Sequence, residues 1–268
     1  MTIPYIITLL SFPHYHIDLN YPLEIHLGAG RIPAHLLFEM LAYTLGYQLY
    51  VRQRARSHDL ISDENRMWIF LGAAAGALLG SHVLGILENP AYLTHLDWRI
   101  WLGNKTIVGG LLGGLMGVEW TKKIIGVSTS SGDLMTYPLM LGLAVGRIGC
   151  HFAGLTDGTH GNPSGLPWAI DFGDGVPRHP VSLYEVAYLA ALAAFIFQQE
   201  KSVAHLRGVP HLPDGLRFQI FMVGYLAWRF AVEFIKPVWV LPGVGISPIQ
   251  VAAVAGLVYY YGRMNYKR

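Results

Sequence analysis

Seven apolar runs, each near the length of a membrane span, constrain this 268-residue chain more than any other feature. A helix needs about 20 residues to cross roughly 30 Å of hydrocarbon. The runs lie near 33–51, 67–87, 106–126, 134–152, 182–199, 216–235 and 245–262. The composition agrees, because 53% of the residues are hydrophobic and only 13% are charged. We therefore predict an all-α integral membrane protein with seven transmembrane helices, forming a single domain over 1–268.

The positive charges of the connecting loops predict the orientation in the membrane. Lysines and arginines gather after the first, third, fifth and seventh runs. They are Arg52, Arg54, Arg56 and Arg66, then Lys122 and Lys123, then Lys201, Arg207 and Arg217, then Arg263, Lys267 and Arg268. Short cytoplasmic loops are enriched in these residues. We expect the N-terminus outside, the C-terminus in the cytoplasm, and a small non-cytoplasmic loop region after the fourth span.

Net charge and cysteine content narrow the functional classes. The net charge is only +2, and the basic residues form short clusters instead of one stripe, so nucleic-acid binding has no electrostatic support. Cys150 is the single cysteine, which excludes an internal disulfide. The third apolar run is rich in glycine, which predicts that this helix packs closely against a neighbour in the bilayer. These glycines are Gly109, Gly110, Gly113, Gly114 and Gly117.

Ionisable side chains inside the apolar runs are the first indication of a functional site, because such groups are costly in a membrane. They are Glu39, His82, Glu119, Arg147, Arg229 and Glu233. Arginine is the most informative type, since its planar fork binds phosphate at two points and keeps its charge when buried. Two structural alternatives stay open. Arg229 and Glu233 are four residues apart and can simply pair, and Glu119 lies close enough to the cytoplasmic lysines to be solvated.

The loop after the fourth run, 153–181, is dense in Gly, Pro, Asp and His, as functional loops often are. Its histidines and aspartates raise the question of a metal site: His151, Asp157, His160 and Asp171. No HxxxH or HExxH spacing is present, and no second cysteine lies near Cys150. We therefore predict no metal ligands and no cofactor, and interpret Cys150 as a small buried apolar side chain.

Three segments, in order, resemble the prolipoprotein diacylglyceryl transferases of the bacterial inner membrane. They are "GRIGCHFAG" (146–154), "GNPSGLPWAIDF" (161–172) and "RHPVSLYE" (178–185), similar to the family's GRIGN signature, LPW strand and RHPSQLYE segment. The stretches "VGGLLGG" (108–114), "GYLAWRFAVEF" (224–234) and "GISPIQ" (245–250) resemble its HGGLxG segment, its GYxxFRFxxEF helix and the SxxQ start of its last helix. The likeness covers nearly the whole chain.

The resemblance implies a multi-pass transferase of the bacterial inner membrane. It would move a diacylglyceryl group from phosphatidylglycerol, an anionic phospholipid, to the lipobox cysteine thiol of a lipoprotein precursor, and release glycerol phosphate. By resemblance, Arg147 and Arg229 would clamp the phosphate, for which both must face one cavity. Tyr225 would support the headgroup, and Gly149 and Gly158 would shape the loop that covers it. Glu233 and His179 would complete the substrate site.

The chain departs from the family pattern at four positions. Val108 replaces the family's histidine before GGL, and Cys150 replaces its asparagine after GRIG. Glu39 replaces a tyrosine in the first long helix, and Leu155 replaces a glutamate in the loop. A valine cannot accept a proton. One hypothesis is that His82 or Glu39 is the base instead. The other is a transferase with a different acceptor, or a phospholipid-binding protein without catalysis.

A channel or secondary transporter is a further class, because buried charges and glycines also suit an ion path. The sequence has no inverted repeat of the kind that such transporters carry. The charged residues of the apolar runs gather towards one half of the membrane. Both features disfavour this class.

Overall fold

Seven helices make up most of the chain that the structure, a computed structural model, describes: residues 21–27, 30–57, 59–93, 103–207 and 212–266. They are α1 (Ala34–Arg56), α2 (Asp63–Glu88), α3 (Ile107–Ile124), α4 (Asp133–Ala153), α5 (Val181–Arg207), α6 (Leu216–Val232) and α7 (Pro248–Tyr266). Each predicted apolar run is a helix. The predicted outer N-terminus and the basic residues Lys267 and Arg268 lie outside the described residues.

Within the described residues, four helical stretches are long and apolar enough to cross a membrane. They are Asp63–Glu88, Asp133–Asp157, Val181–Leu206 and Leu216–Ile235. An all-α membrane protein therefore fits the structure. Seven crossings, and the direction in which they run, stay predictions.

Two short antiparallel strand pairs accompany the helices. Strands β1 (Glu24–Leu27) and β2 (Gly30–Pro33) precede α1, while β3 (Ile170–Asp171) and β4 (Pro177–Arg178) lie in the loop after α4. The strand expected at Leu166-Pro167-Trp168 is wrong, because these residues form a turn closed by a 2.9 Å hydrogen bond from the Ala169 N–H to the Leu166 carbonyl. The imino nitrogen of Pro167 has no hydrogen to donate to a strand ladder.

The chain divides into two compact units. We call the first the Arg147 unit; it takes in Met1–Arg52, Tyr137–Ala194 and Ile235–Pro237. The second, the Arg229 unit, takes in Gln53–Thr136, Phe195–Phe234 and Val238–Arg268. A single integral membrane domain stays a prediction.

In the Arg147 unit, a glycine lets α1 and α4 approach closely. A methyl group added at Gly149 of α4 would lie 2.8 Å from Cβ of Phe38 and 3.3 Å from the carbonyl oxygen of His35, both on α1. The rings of Phe38 and Phe152 stack at the same place, with centroids 5.5 Å apart. This packing brings the first turn of α1 against the last turns of α4.

In the Arg229 unit, α2 and α3 pack through facing glycines, as the glycine-rich third run predicts. Gly76 and Gly80 of α2 lie against Gly109 and Gly113 of α3, with backbone atoms in direct contact. A methyl group at Gly113 would overlap the carbonyl group of Gly76 and lie 2.9 Å from Cα of Gly80. Small residues of this kind hold membrane helices together by close van der Waals contact.

A methyl group at Gly113 should therefore destabilise the protein, whereas one at Gly114 should not. Gly113→Ala forces two backbones apart, and overpacking of this kind costs about 1–3 kcal/mol. Gly114→Ala is the matched control, because its methyl would lie 3.5 Å from the carbonyl oxygen of Ala73 and from Cβ of Ala77, an ordinary contact. Unfolding of the two variants in detergent checks this. Equal stability of the two would contradict the described packing.

The structure confirms that α7 begins in the GISPIQ segment, as the resemblance to the family predicts. Ser247 precedes the helix, and its Oγ accepts a 3.1 Å hydrogen bond from the Gln250 N–H. In return, Oε1 of Gln250 accepts a 2.8 Å bond from the Ser247 N–H. This reciprocal capping, with Pro248 in the first helical position, sets where α7 begins.

Candidate functional site

Arg147 is a buried cation near the end of α4, with 7% of its surface exposed. Its Nε lies 2.9 Å from Oε1 of Glu185, a fully buried carboxylate near the start of α5. Its Nη1 lies 3.9 Å from Sγ of Cys150, within reach of a weak N–H···S contact. Sequence reasoning did not select Glu185 as a site residue. The sequence did contain a signal for Glu185, because the RHPVSLYE segment ends in a carboxylate where an apolar helix begins.

His35, Cys150 and Asp157 form a cluster beside Arg147. One possible ligand atom from each, a histidine nitrogen, the thiol sulfur and a carboxylate oxygen, all lie within 4.8 Å of one another. Nδ1 of His35 is buried without a hydrogen-bond partner. The absence of metal ligands stays a prediction, but sequence spacing could not detect this group. His35 is on α1, far from Cys150 in sequence, and only the helix contact at Gly149 brings the two together.

The two glycines expected to shape the covering loop have different positions. Gly149 lies inside α4, within the fourth predicted run, and packs on α1, and its role in shaping the loop stays a prediction. Gly158 does lie in the loop, where it ends the short 3₁₀ turn Gly154–Asp157 with a φ of +63°. This left-handed conformation favours glycine, since a side chain there would strain the backbone. The turn places Asp157 directly after the end of α4.

His179 lies in a hydrogen-bonded group of the same unit. The Trp168 indole N–H donates a 2.7 Å hydrogen bond to the Tyr184 hydroxyl, and that hydroxyl lies 3.3 Å from Nδ1 of His179. The neighbouring His160 has its pKa lowered by burial, and further by the positive charges of Arg178 and Lys236. His160 is therefore neutral at physiological pH.

Arg178 and Asp174 close the loop between β3 and β4 with a two-point ion pair. Each of the two terminal guanidinium nitrogens lies 2.7 Å from one carboxylate oxygen. The Asp171 carboxylate adds three backbone hydrogen bonds of 2.8–3.1 Å, from the N–H groups of residues 173–175. The hydrogen bond from Arg178 lowers the pKa of Asp174 from 3.8 to about 2.

The Asp174–Arg178 pair should break only in strong acid. Because the pKa of Asp174 is depressed in the folded loop, the stabilisation is complete above pH 3.8 and is lost as the pH falls through about 2. A carboxyl carbon-13 NMR titration, with the signal assigned by its loss in Asp174→Asn, should have a midpoint near pH 2. Arg178→Gln should return the midpoint towards 3.8. A wild-type midpoint already near 3.8 would mean that the pair does not form.

Arg229 is a buried cation of α6 in the other unit. Its Nη2 lies 2.6 Å from Oε1 of Glu233, which is also buried, so the two residues form the pair that their spacing had left open. The Ser247 hydroxyl donates a 3.3 Å hydrogen bond to Oε2 of Glu233 and ties the pair to the start of α7. Tyr225 lies one turn before Arg229 and is fully buried. The arrangement fixes the guanidinium of Arg229 in place.

His82, one of the two predicted bases, is buried in α2 of the Arg229 unit. Its Nδ1 lies 2.9 Å from the carbonyl oxygen of Asn104, just before α3. A carbonyl oxygen can only accept, so Nδ1 carries the hydrogen and Nε2 of the neutral ring has the lone pair. That lone pair is able to accept a proton. Val108, in the first turn of α3, is fully buried and offers no proton acceptor.

The remaining carboxylates of the apolar runs have ordinary surroundings. Glu39, the other predicted base, is half-buried on α1 and makes no hydrogen bond or ion pair with the described part of the chain. It lies four residues after His35, on the same face of the helix. Glu119 is 39% exposed, and its two carboxylate oxygens lie 3.5 Å from Nζ of Lys122 and 3.6 Å from Nη1 of Arg263. Glu119 therefore forms ion pairs at the surface of the protein.

Comparison with known proteins identifies the family. The sequence model of the family described as "Prolipoprotein diacylglyceryl transferase" matches residues 22–264. The chain belongs to this family. The chain is 29% identical over 238 residues to the phosphatidylglycerol--prolipoprotein diacylglyceryl transferase of Glaesserella parasuis, across 85% of this chain and 82% of that protein. It is 32% identical over 239 residues to the protein of the same name from Bordetella avium, across 85% and 84%.

A third relative of the same name, from Methylococcus capsulatus, is 36% identical over 173 residues, across 63% of this chain and 60% of that protein. The family and these relatives are named as transferases, so this chain is a transferase. The four apolar helical stretches agree with a membrane location.

Three of the four departures from the prolipoprotein diacylglyceryl transferase motifs lie in the Arg147 unit. Glu39 is on α1, Cys150 is beside Arg147, and Leu155 is in the 3₁₀ turn that leads to Asp157. Val108 lies in the Arg229 unit. Three of these four positions therefore lie in the same unit as Arg147.

Proposed function

We propose that this chain transfers a diacylglyceryl group from phosphatidylglycerol to the lipobox cysteine thiol of a prolipoprotein, with release of glycerol phosphate. The names of the relatives support both the donor and the acceptor. The observation that carries the proposal is the buried Arg147 guanidinium, held by Glu185 and lying next to Cys150. The proposed setting is the bacterial inner membrane, with seven spans, an outer N-terminus and a cytoplasmic C-terminus.

Arg147 is proposed to bind the phosphate of the donor lipid. Glu185 contacts the guanidinium at Nε and holds the side chain in position. In surroundings of low dielectric constant, a fixed cation stabilises charge that develops on a leaving phosphate far better than it does in water. Arg147 would therefore act mainly in the transition state.

Arg229 is proposed as a further ligand for an anionic lipid headgroup. Its ion pair with Glu233, and the Ser247 hydrogen bond to that carboxylate, hold the guanidinium in one orientation, which saves ordering entropy on binding. Tyr225 is proposed to support the headgroup from the same helix. In the Arg147 unit, His179 and Gly158 are proposed to contact substrate from the loop.

The acceptor thiol must lose its proton, because the thiolate is the nucleophile. His82 is the stronger of the two predicted bases, since its Nδ1–H is fixed by the Asn104 carbonyl and its Nε2 has the lone pair. Glu39 is the second candidate. His82→Gln and Glu39→Gln, compared by their pH–rate profiles, identify the base as the residue whose loss removes the acidic limb.

The acceptor is tested with two lipobox peptides that differ only in Cys and Ser, mixed with the full chain and phosphatidylglycerol in detergent. A diacylglyceryl mass gain on the Cys peptide alone supports the proposal. Release of glycerol phosphate without a gain on either peptide would mean a different acceptor, the first alternative opened by Val108. Lipid binding with neither product would identify a phospholipid-binding protein without catalysis.

A further inference from the structure

The geometry points to a zinc site made by His35, Cys150 and Asp157, which binds the acceptor thiol as a thiolate. The role in transfer rests on the proposed function, whereas the metal site itself does not. The site is an alternative to His82 and Glu39 in the step for which the family's histidine is Val108 in this chain. With zinc in this role, neither His82→Gln nor Glu39→Gln should remove the acidic limb of the pH–rate profile.

The three side chains have the donor types that zinc binds, and their donor atoms lie close to the spacing that zinc requires. Zinc in proteins takes histidine nitrogen, cysteine sulfur and carboxylate oxygen, and catalytic sites use three such ligands and leave a fourth position open. Bonds of about 2.0–2.3 Å place tetrahedral donors about 3.5 Å apart. The donors of His35, Cys150 and Asp157 already lie within 4.8 Å of one another, so shifts of about an ångström complete the site.

Neighbouring groups support the ligands as the outer groups of a metal site do. The Thr159 hydroxyl donates a 2.9 Å hydrogen bond to Oδ2 of Asp157 and orients the carboxylate. Nη1 of Arg147, 3.9 Å from Sγ of Cys150, can donate to the sulfur once it is a thiolate. Such partners fix ligand orientation and tune the metal. On His35, the buried Nδ1 makes no hydrogen bond, an arrangement that a metal or a solvent molecule would satisfy.

The local charge also favours a cation. At neutral pH the Arg147 guanidinium is accompanied by two carboxylates, those of Glu185 and Asp157. One cation and two anions leave an excess negative charge beside the place where an anionic lipid phosphate is proposed to bind. Zinc binding also deprotonates Cys150, which adds a third anion. A divalent ion then neutralises the group and removes the excess negative charge that would disfavour the lipid phosphate and the acceptor thiolate.

The transfer step balances without a protein base. When the acceptor thiol binds at the open position, its S–H bond breaks, the proton passes to water and the electron pair stays on sulfur, because a coordinating thiol is readily deprotonated. The sulfur then forms a bond to the terminal glycerol carbon of the diacylglyceryl group. The bond from that carbon to the phosphate oxygen breaks, and its electron pair leaves with glycerol phosphate.

The test measures zinc bound to the full chain, purified in detergent without a metal-affinity step and dialysed against zinc. We expect about one zinc per chain. His35→Ala, Cys150→Ser and Asp157→Asn should each lower zinc affinity at least about tenfold, the scale on which even outer partners act. His205→Ala and Asp214→Asn change the same residue types at exposed positions and should bind zinc like the wild type. With cobalt, a thiolate-to-cobalt absorption band should be present and should be lost in Cys150→Ser.

Each outcome decides one question. No zinc in the wild type, or equal zinc in wild type and Cys150→Ser, overturns the site. If zinc binds as expected but nothing is transferred to the Cys peptide, the zinc site stands and the proposed function is refuted. If a chain stripped of metal with a chelator still carries out full transfer, the proposed function stands and the role of zinc in it is refuted.

Discussion

Arg147→Ala is expected to lower the rate of glycerol phosphate release by at least about 100-fold, the usual effect of removing one group that stabilises transition-state charge. The phosphate would lose its buried cation, and Cys150 its guanidinium neighbour. The measurement is release of glycerol phosphate from headgroup-labelled phosphatidylglycerol by the full chain in detergent. Arg147→Lys should restore only part of the rate, because an ammonium group cannot bind phosphate at two points.

A control is needed because Arg147→Ala also leaves the Glu185 carboxylate buried without its cation. Breaking a buried ion pair from one side costs about 3–5 kcal/mol, so a lost rate could reflect a lost fold. The double change Arg147→Met with Glu185→Gln removes both charges and should recover stability in thermal unfolding while release stays absent. Wild-type release by the double variant would show that Arg147 does not bind the phosphate.

Glu233→Ala is expected to destabilise the protein by about 3–5 kcal/mol, because Arg229 would keep its charge in a buried site without its carboxylate partner. The Ser247 hydroxyl would lose its acceptor as well. Chemical unfolding in detergent gives the free-energy difference. The matched control is Glu119→Ala, which removes a carboxylate that is 39% exposed and should cost less than about 1 kcal/mol.

Replacing both partners tests whether the stability lost in Glu233→Ala comes from the unpaired charge of Arg229 or from the changed side chain at position 233. Arg229→Met with Glu233→Met should recover most of the stability lost in Glu233→Ala, since well-packed apolar groups often replace a buried ion pair without cost. If Glu233→Ala is as stable as Glu119→Ala, the buried pair in the structure is not the interaction that anchors Arg229.

The helices and some of their contacts could be predicted from the sequence because the signals are local. Apolar runs of about 20 residues specify helices in a membrane protein almost by themselves. The glycines of the third run predicted close packing, and the structure shows them against Gly76 and Gly80. The spacing of Arg229 and Glu233 raised their pairing as one alternative, since residues four apart share one face of a helix.

The site around Arg147 could not be assembled from the sequence because its contacts join distant segments. Glu185 is on α5 and His35 is on α1, and no spacing rule connects either residue to α4. Gly149 belongs to the fourth apolar run, but nothing in the sequence indicates which residues it contacts. The structure places it inside α4, where its missing side chain admits His35 and Phe38. A local motif therefore identified the right neighbourhood but not the contacts within it.

The most direct measurement is a coupled assay with headgroup-labelled phosphatidylglycerol and a lipobox Cys peptide, in which glycerol phosphate and peptide mass are followed in the same sample. We expect one glycerol phosphate to be released for each diacylglyceryl group gained by the peptide, and we expect Arg147→Ala to abolish both products. Peptide lipidation that persists in Arg147→Ala, or glycerol phosphate released without any gain on the peptide, would contradict this expectation.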